Sequence, residues 1–282
     1  MIKIITDSAC DIPDDMLAAG EIEMVPLTVR FGEHEFKDRV ELPTSEFWKM
    51  LAATGLMPQT SAPSPGDFQK AFDDAFANGA SGILCITISS GLSATYQSAL
   101  TAAQAYPQST PVVVVDTAMA SMGEGLIVLK AMDLLPEDIT LDEMRTKLLK
   151  ARSDILLYAV IDSLDFLRQG GRIGGASALL GSMLSIKPII TMRNGKIEPD
   201  SKQRTRARAL EYIAEKIRGQ QIAKLAIVSG NSGDVDMLVS KLKEIQPEIT
   251  PMVTDLSAIV GSHSGPGTLG ICVEVDHDAR NT

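Results

Sequence analysis

A run of hydroxyl side chains between residues 89 and 98 follows a short apolar segment, residues 83–88, and leads into a segment rich in helix-forming residues. This order predicts a strand, a turn and the start of a helix. Backbone N–H groups in the first turn of a helix lack partners and carry partial positive charge, so hydroxyls there can hold an anion without a formal cation. The segment predicts a site for a carboxylate or a phosphate, or else an ordinary helix cap, for which Ser and Thr are also favoured.

Two further hydroxyls lie in a stiff loop over residues 59–65. Ser64 is suited to cap a helix whose first residue is Pro65, because proline is favoured at that position. Thr60 and Ser61 are not needed for this cap. They are therefore free to contribute to a polar site.

His263 lies in a glycine-rich segment, residues 261–267, which predicts a rigid loop that presents the imidazole to a neighbour. The histidine is either a ligand group or a structural side chain. Together with Ser93 it also raises the alternative of a serine hydrolase. The nucleophile elbow of many such enzymes needs a serine where this segment has the histidine, and no acid is placed by the sequence to orient the ring.

Positive charge is concentrated in one segment of this acidic chain. Four cations, Arg204 and Arg206 among them, lie within residues 202–208 at the start of a predicted helix, where the helix dipole prefers carboxylates. The segment is either a solvated helix face or a docking patch for an acidic partner or a phosphate. Arg172, within the glycine-rich residues 170–175, is placed to anchor a loop or a partner.

Motifs for nucleotides and metals are weak or missing. Residues 265–270 match the pattern G-x-G-x-x-G, but they precede a predicted strand instead of following one, so we reject them as a nucleotide site. The chain has no G-x-x-x-x-G-K-[ST] loop, and its three histidines are scattered. We therefore expect no metal, no cofactor and no hydrolysis of ATP by the chain itself.

The composition is that of a globular protein, because 45% of the 282 residues are hydrophobic and 22% are charged. The net charge of −10 opposes attraction to a polyanion, so nucleic acid is not an expected partner. No apolar run approaches the roughly 18 residues of a membrane span. The three cysteines have no paired spacing, which fits free thiols in a reducing compartment. These features predict a cytoplasmic protein without stable membrane insertion.

The order of the predicted elements indicates an α/β fold with two α/β domains, residues 1–152 and residues 153–282. In the first domain short apolar strands alternate with helical segments, which is typical of a mainly parallel sheet with flanking helices. Polar residues follow three of these strands, at 6–8, 89–90 and 116–117. Because ligands bind at the carboxyl ends of parallel strands, a site is expected there. The second domain is predicted to be a mixed sheet with helices.

The apolar runs and helical patterns predict individual elements. Strands are expected over residues 3–5, 25–31, 83–88, 112–115, 155–161, 188–192, 196–198, 224–228, 248–254 and 269–275. Helices are expected over residues 14–17, 44–53, 67–76, 93–105, 123–134, 141–151, 163–168, 176–184, 204–218 and 234–245.

Taken together, the motifs resemble those of the bacterial DegV family of fatty-acid-binding proteins, over nearly the whole chain. Seven pieces in the same order carry the resemblance: residues 6–8, 60–64, 89–99, 162–164 with 170–174, 186–188, 204–206 and 261–267. The resemblance implies a fatty acid in a tunnel between the two domains. It also implies that the chain is a lipid carrier and not an enzyme, working in phospholipid metabolism with a separate ATP-binding subunit of a fatty acid kinase, which phosphorylates the carboxyl group.

The resemblance also implies roles for individual residues. Thr60, Ser93 and His263 would hold the carboxylate. Secondary candidates for the same site are Ser61, Ser89, Ser90 and Gly91. Arginines would face the kinase subunit, namely Arg172, Arg204 and Arg206. No residue of this chain would be catalytic.

Binding would come mainly from the tail, because burying about 15 carbons at about 0.8 kcal/mol per methylene supplies on the order of 12 kcal/mol before entropy costs. An apolar cluster that is either tunnel lining or ordinary core contains Leu179, Leu180, Met183, Leu184 and Ile186. Two other functions stay open: an acyl hydrolase using Ser93 and His263, and a subunit of a kinase that binds a small polyol or ketone.

Overall fold

The computed structural model describes residues 1–277, apart from the side chains of residues 180–185. It confirms the α/β fold, with a parallel sheet in the N-terminal half and a mixed sheet in the C-terminal half. The parallel sheet has the strand order β2 (Glu23–Val25), β1 (Ile2–Asp7), β6 (Gly82–Thr87) and β7 (Val112–Asp116). Every residue of β6 is buried, as expected for a continuous apolar run in the centre of a parallel sheet.

A small antiparallel sheet and six helices complete the N-terminal half. The small sheet has the order β4 (His34–Lys37), β3 (Thr28–Phe31) and β5 (Gln59–Ser61). The helices are α1 (Asp14–Ala19), α2 (Thr44–Thr54), α3 (Pro65–Ala77), α4 (Thr95–Ala103), α5 (Met122–Leu134) and α6 (Leu141–Ala151), and Ser8–Cys10 form a short 3-10 helix.

The C-terminal half is built on six strands, of which only the edge pair β11 and β12 is parallel. Their order is β10 (Lys196–Gln203), β9 (Lys187–Arg193), β8 (Ile155–Val160), β13 (Leu269–Val275), β11 (Ile222–Ser229) and β12 (Met252–Asp255). The helices are α7 (Asp165–Gln169), α8 (Arg206–Glu215), α9 (Val235–Ile245) and α10 (Ala258–Ser264), with 3-10 helices at Arg152–Asp154 and Gly174–Ser185.

The two halves share apolar packing through α5. This helix packs against β1 and β6 of the parallel sheet and against β8 and β13 of the mixed sheet. Its residues are apolar on nearly all sides, as expected for a helix that is buried all round. One apolar cluster contains side chains from both halves. The division of the chain at residue 152 stays a prediction.

Two predicted strands are wrong in their bounds. The strand expected over residues 25–31 is two strands in different sheets, because Pro26 interrupts it and has no N–H for a ladder. The strand expected from residue 248 begins at Met252, directly after Pro251. The helix expected over residues 176–184 lies within a 3-10 helix. None of the helices formed by the described residues is long and apolar enough to cross a membrane.

Candidate functional site

A mainly apolar cavity is lined by residues from both halves of the chain. The space inside it that is open to a water-sized molecule is about 100 Å³. Its apolar lining includes Leu27, Ile88, Leu92, Leu157, Ala159, Leu167, Ile190, Met192, Ile197, Val228, Leu256, Ile259 and Val260. Its polar lining includes Thr60, Ser61, Ser93, Ser121, Arg172, His263, Ser264 and Thr268.

The cavity brings together all three side chains predicted to bind a carboxylate. Thr60 lies in β5, opposite Val29 of β3, and His263 lies in the last turn of α10. The Thr60 Oγ1 and His263 Nε2 atoms are 2.8 Å apart and form a hydrogen bond, although the residues are 203 positions apart. The predicted loops around both residues are wrong, since one is a strand and the other a helix. The predicted cap of α3 by Ser64 is confirmed.

The imidazole of His263 is neutral at physiological pH. Burial, followed by the positive charge of Arg172, lowers its pKa from 6.5 to about 4. The Nδ1 atom is buried and has no hydrogen-bond partner within the described part of the chain. Gly170 packs so closely against this side of the ring that a Cβ atom there would overlap Nδ1.

Ser93 lies in the turn before α4 and not in the helix itself. Its Oγ is 2.8 Å from Thr95 Oγ1 and accepts a hydrogen bond from the Thr95 N–H at 3.3 Å. The N-cap residue of α4 is Ala94, without a side-chain cap. Ser93 faces the cavity from a turn, and its hydroxyl also accepts the first N–H of α4, so the segment has features of both alternatives.

The secondary candidates differ in position. Ser61 lines the cavity. Ser89 is buried and donates a hydrogen bond to the Gly195 carbonyl at 2.7 Å, and Ser90 Oγ donates to Asp116 Oδ2 at 2.6 Å. Gly91 lies against the same carbonyl, which a Cβ atom would overlap. These contacts hold the turn in place, and a ligand role for its residues stays a prediction.

The three predicted docking arginines also differ. Arg172 lines the cavity and is half-buried, while Arg204 is exposed. Only 17% of the Arg206 side chain is exposed. Its guanidinium pairs with Asp234 at 2.9 Å and donates a hydrogen bond to the Gly267 carbonyl at 2.6 Å. The Arg206 side chain is thus held by contacts within the protein. Of the three arginines, only Arg204 is exposed on the surface, as a docking residue would be.

Two buried carboxyl groups fix the start of the helix that carries His263. The Ser257 N–H donates to Asp11 Oδ1 at 2.9 Å, and the Ala258 N–H donates to Asp38 Oδ1 at 3.2 Å. Burial raises the pKa of Asp11 to about 6 and that of Asp38 to about 7. The hydroxyl of Ser121, in the cavity wall, donates to Asp11 Oδ2 at 2.5 Å. The sequence analysis missed both aspartates.

The geometry does not match that of a serine hydrolase. His263 Nε2 is bonded to Thr60 and Ser93 Oγ to Thr95, while Nδ1 meets no carboxylate among the described residues. A catalytic triad needs the histidine bonded to the serine and oriented by an acid. Within residues 1–277, apart from the side chains of residues 180–185, no cluster of His, Cys, Asp and Glu is suited to a metal ion.

The apolar cluster expected near residue 180 is only partly described. Leu179 packs against the core. The side chains of Leu180, Met183 and Leu184 lie outside the described residues.

Comparison with known proteins identifies relatives over nearly the whole chain. Residues 1–276 match the family described as "Uncharacterised protein, DegV family". A DegV domain-containing protein of Streptomyces coelicolor is 34% identical over 277 residues, which cover 96% of this chain and 98% of the relative.

Solved structures of DegV proteins have the same fold. A DegV family protein from Thermus thermophilus, described in terms of fatty acid binding, matches with a TM-score of 0.88 and 33% identity, covering 98% of this chain and 99% of that one. DegV from Bacillus subtilis, described as a fatty acid binding protein, matches with a TM-score of 0.87 and 28% identity over 98% and 99% of the two chains.

Proposed function

Because this chain belongs to the DegV family, we propose that it binds a long-chain fatty acid in the cavity and presents the carboxylate to a separate ATP-dependent kinase subunit. The observation that carries the proposal is a mainly apolar cavity whose polar lining includes Thr60, Ser93 and a neutral His263. The chain itself would catalyse no step. The acyl phosphate made on the partner would enter phospholipid metabolism in the bacterial cytoplasm.

The tail and the head group of the fatty acid would contribute differently to binding. Burying about 15 methylenes at about 0.8 kcal/mol each contributes on the order of 12 kcal/mol before the costs of association. A hydrogen bond to a charged group contributes only about 1.5 to 3 kcal/mol. Affinity would therefore come from the tail, while the hydroxyls determine which end of the fatty acid meets them.

The protonation of His263 decides what Thr60 can offer to a carboxylate. If Nε2–H donates to Thr60 Oγ1, the hydroxyl proton of Thr60 is free to donate to an anion, and the bare Nδ1 is left beside Gly170. The opposite tautomer would bury an N–H donor without a partner, which is costly. We therefore infer a relay in which His263 orients Thr60 and Thr60 binds the carboxylate.

Neutral donors suit a carboxylate that must react. A direct ion pair with a guanidinium would bind the carboxylate more tightly but reduce its power as a nucleophile toward the γ-phosphate of ATP. Two nitrogens of the nearby Arg172 donate hydrogen bonds to backbone carbonyls. These two nitrogens are therefore not free to form an ion pair with the carboxylate.

Removal of the head-group hydroxyls should weaken fatty acid binding. We expect Thr60→Ala and Ser93→Ala each to lower affinity about tenfold, because each loses one hydrogen bond to a charged group. Displacement of a fluorescent fatty acid measures this affinity. Ser240→Ala is the matched control, since Ser240 is exposed on α9 and donates to the Asp236 carbonyl, and it should bind like the wild type. Unchanged affinity in both head-group variants would show that the assignment is wrong.

The ligand itself is identified by mass spectrometry of lipid extracted from the purified protein. About one fatty acid per chain supports the proposal. A protein that is empty, and that takes up no added fatty acid, contradicts it. Turnover of acyl esters that His263→Ala abolishes would instead favour the hydrolase, and binding of a small ketone without lipid would favour the polyol-binding subunit.

The exposed Arg204 gives a separate test of partner docking. Arg204→Glu should reduce acyl phosphate formation by the kinase subunit at least tenfold, because it reverses a charge that would face the partner, while fatty acid retention stays unchanged. Arg218→Glu is the control. Arg218 is also a surface arginine, but it lies beyond the C-terminal end of α8, where it pairs with Glu215. Equal loss in both variants, or loss of the bound lipid, would contradict a docking role.

A further inference from the structure

Arg172 makes two hydrogen bonds beside the cavity, and the one to Leu92 joins the two halves of the chain. Its Nε donates to the Leu92 carbonyl at 3.0 Å, and its Nη1 donates to the Gly170 carbonyl at 2.6 Å. Leu92 belongs to the turn between β6 and α4, while Gly170 follows α7. One guanidinium therefore links a turn of the N-terminal half to a turn of the C-terminal half.

Each of the two carbonyls belongs to the backbone that places a head-group residue. Leu92 directly precedes Ser93. Gly170 packs on the His263 ring so closely that a Cβ atom would come within 2.8 Å of Cε1 and would overlap Nδ1. A shift of either turn would therefore move a proposed ligand of the carboxylate.

The side chain at this position must be an arginine for geometric reasons. A guanidinium presents several N–H donors in a fixed plane, so Nε and Nη1 can reach two carbonyls at once. A lysine ammonium carries the same charge on a flexible stem, without the rigid fork of donors. The charge also bears on the site, because Arg172 is the second cause of the lowered pKa of His263, after burial.

We propose that Arg172 is a positioning residue that clamps the turn of Ser93 to the turn of Gly170, and that this clamp sets how long a bound fatty acid is retained. The inference rests on the proposed function, since the clamp closes around the head-group site. It differs from the predicted docking role of Arg172, because it acts without any partner protein.

Two substitutions separate the clamp from the charge. In Arg172→Lys the positive charge stays, but the pair of hydrogen bonds to the Leu92 and Gly170 carbonyls is lost. The fatty acid should therefore dissociate about tenfold faster. In Arg172→Gln the positive charge is lost as well as the pair of hydrogen bonds. Dissociation should be at least as fast as in Arg172→Lys, and the pKa of His263 should rise above its wild-type value of about 4. Stopped-flow transfer of a fluorescent fatty acid to vesicles gives the rate, and NMR titration of the imidazole gives the pKa.

Arg168→Gln is the matched control, since Arg168 is an exposed arginine that pairs with Asp165 at 2.9 Å. It should release fatty acid at the wild-type rate and leave the pKa of His263 unchanged. A wild-type rate in Arg172→Lys overturns the clamp, provided that the wild type itself binds fatty acid. If the wild type binds none, the proposed function fails instead. Loss of folding in both Arg172 variants also overturns the clamp, because Arg172 would then support the fold and not the site.

Discussion

Substitution of Gly170 by alanine should lower the affinity for a long-chain fatty acid at least tenfold. A Cβ atom at this position would overlap Nδ1 of His263 and lie 2.8 Å from Cε1 and 3.1 Å from the Phe166 carbonyl, so the ring must move. Its hydrogen bond to Thr60 is then lost, and Thr60 is no longer oriented. One hydrogen bond to a charged group, at a minimum of about 1.5 kcal/mol, corresponds to about tenfold in affinity.

A double-mutant cycle with fatty acid titration tests this steric mechanism. With His263→Ala in the background the ring is gone, so Gly170→Ala should have almost no further effect on affinity. Gly233→Ala is the control for the glycine-to-alanine change, because Gly233 is exposed and a Cβ atom there has no neighbour within 4 Å. Additive losses in the double variant would show that Gly170 acts through something other than the imidazole.

Local patterns in the sequence were enough to predict the fold. The all-apolar run that became β6, and the alternation of strands and helices around it, are consequences of a parallel sheet covered on both faces. The polar residues predicted to mark the site, at 6–8, 89–90 and 116–117, do not line the cavity, whereas Ser93, three residues farther along the turn after β6, does. Residues of the predicted set form bonds within the protein, such as Asp7, which accepts a hydrogen bond from the Ile88 N–H at 2.8 Å.

The contacts that build the site could not be predicted from local patterns. The pair of Thr60 and His263 spans 203 positions, and the bond from Ala258 to Asp38 spans 220. Residues so far apart leave no periodicity, so the residues alone left the role of His263 open, and only the resemblance to the DegV family indicated the pairing. Arg172 shows the same limit, since its type suggested an anchor but not which two carbonyls it joins.

The buried carboxyl of Asp38 should make the protein less stable as the pH rises. Burial raises its pKa from 3.8 to about 7, so between these values the folded chain holds a proton that the unfolded chain releases. The free energy of unfolding then falls with increasing pH, by at most about 1.4 kcal/mol per pH unit for one such group. Its stabilising contribution is complete below about pH 4 and is lost as the pH rises through 7.

Asp38→Asn removes this dependence while it keeps an oxygen to accept the hydrogen bond from Ala258. Near pH 3.5 the variant and the wild type should unfold at similar urea concentrations, because Asp38 is then mostly protonated in both the folded and the unfolded chain. At pH 8 the variant should be more stable by several kcal/mol, because the wild type then holds a buried carboxylate whose Oδ2 has no hydrogen-bond partner among the described residues. Glu211→Gln, at an exposed position of α8, should follow the wild type at both pH values. A constant difference between Asp38→Asn and the wild type across this range would mean that Asp38 is charged in the folded protein, with the carboxylate acting as an anionic cap for the helix that carries His263.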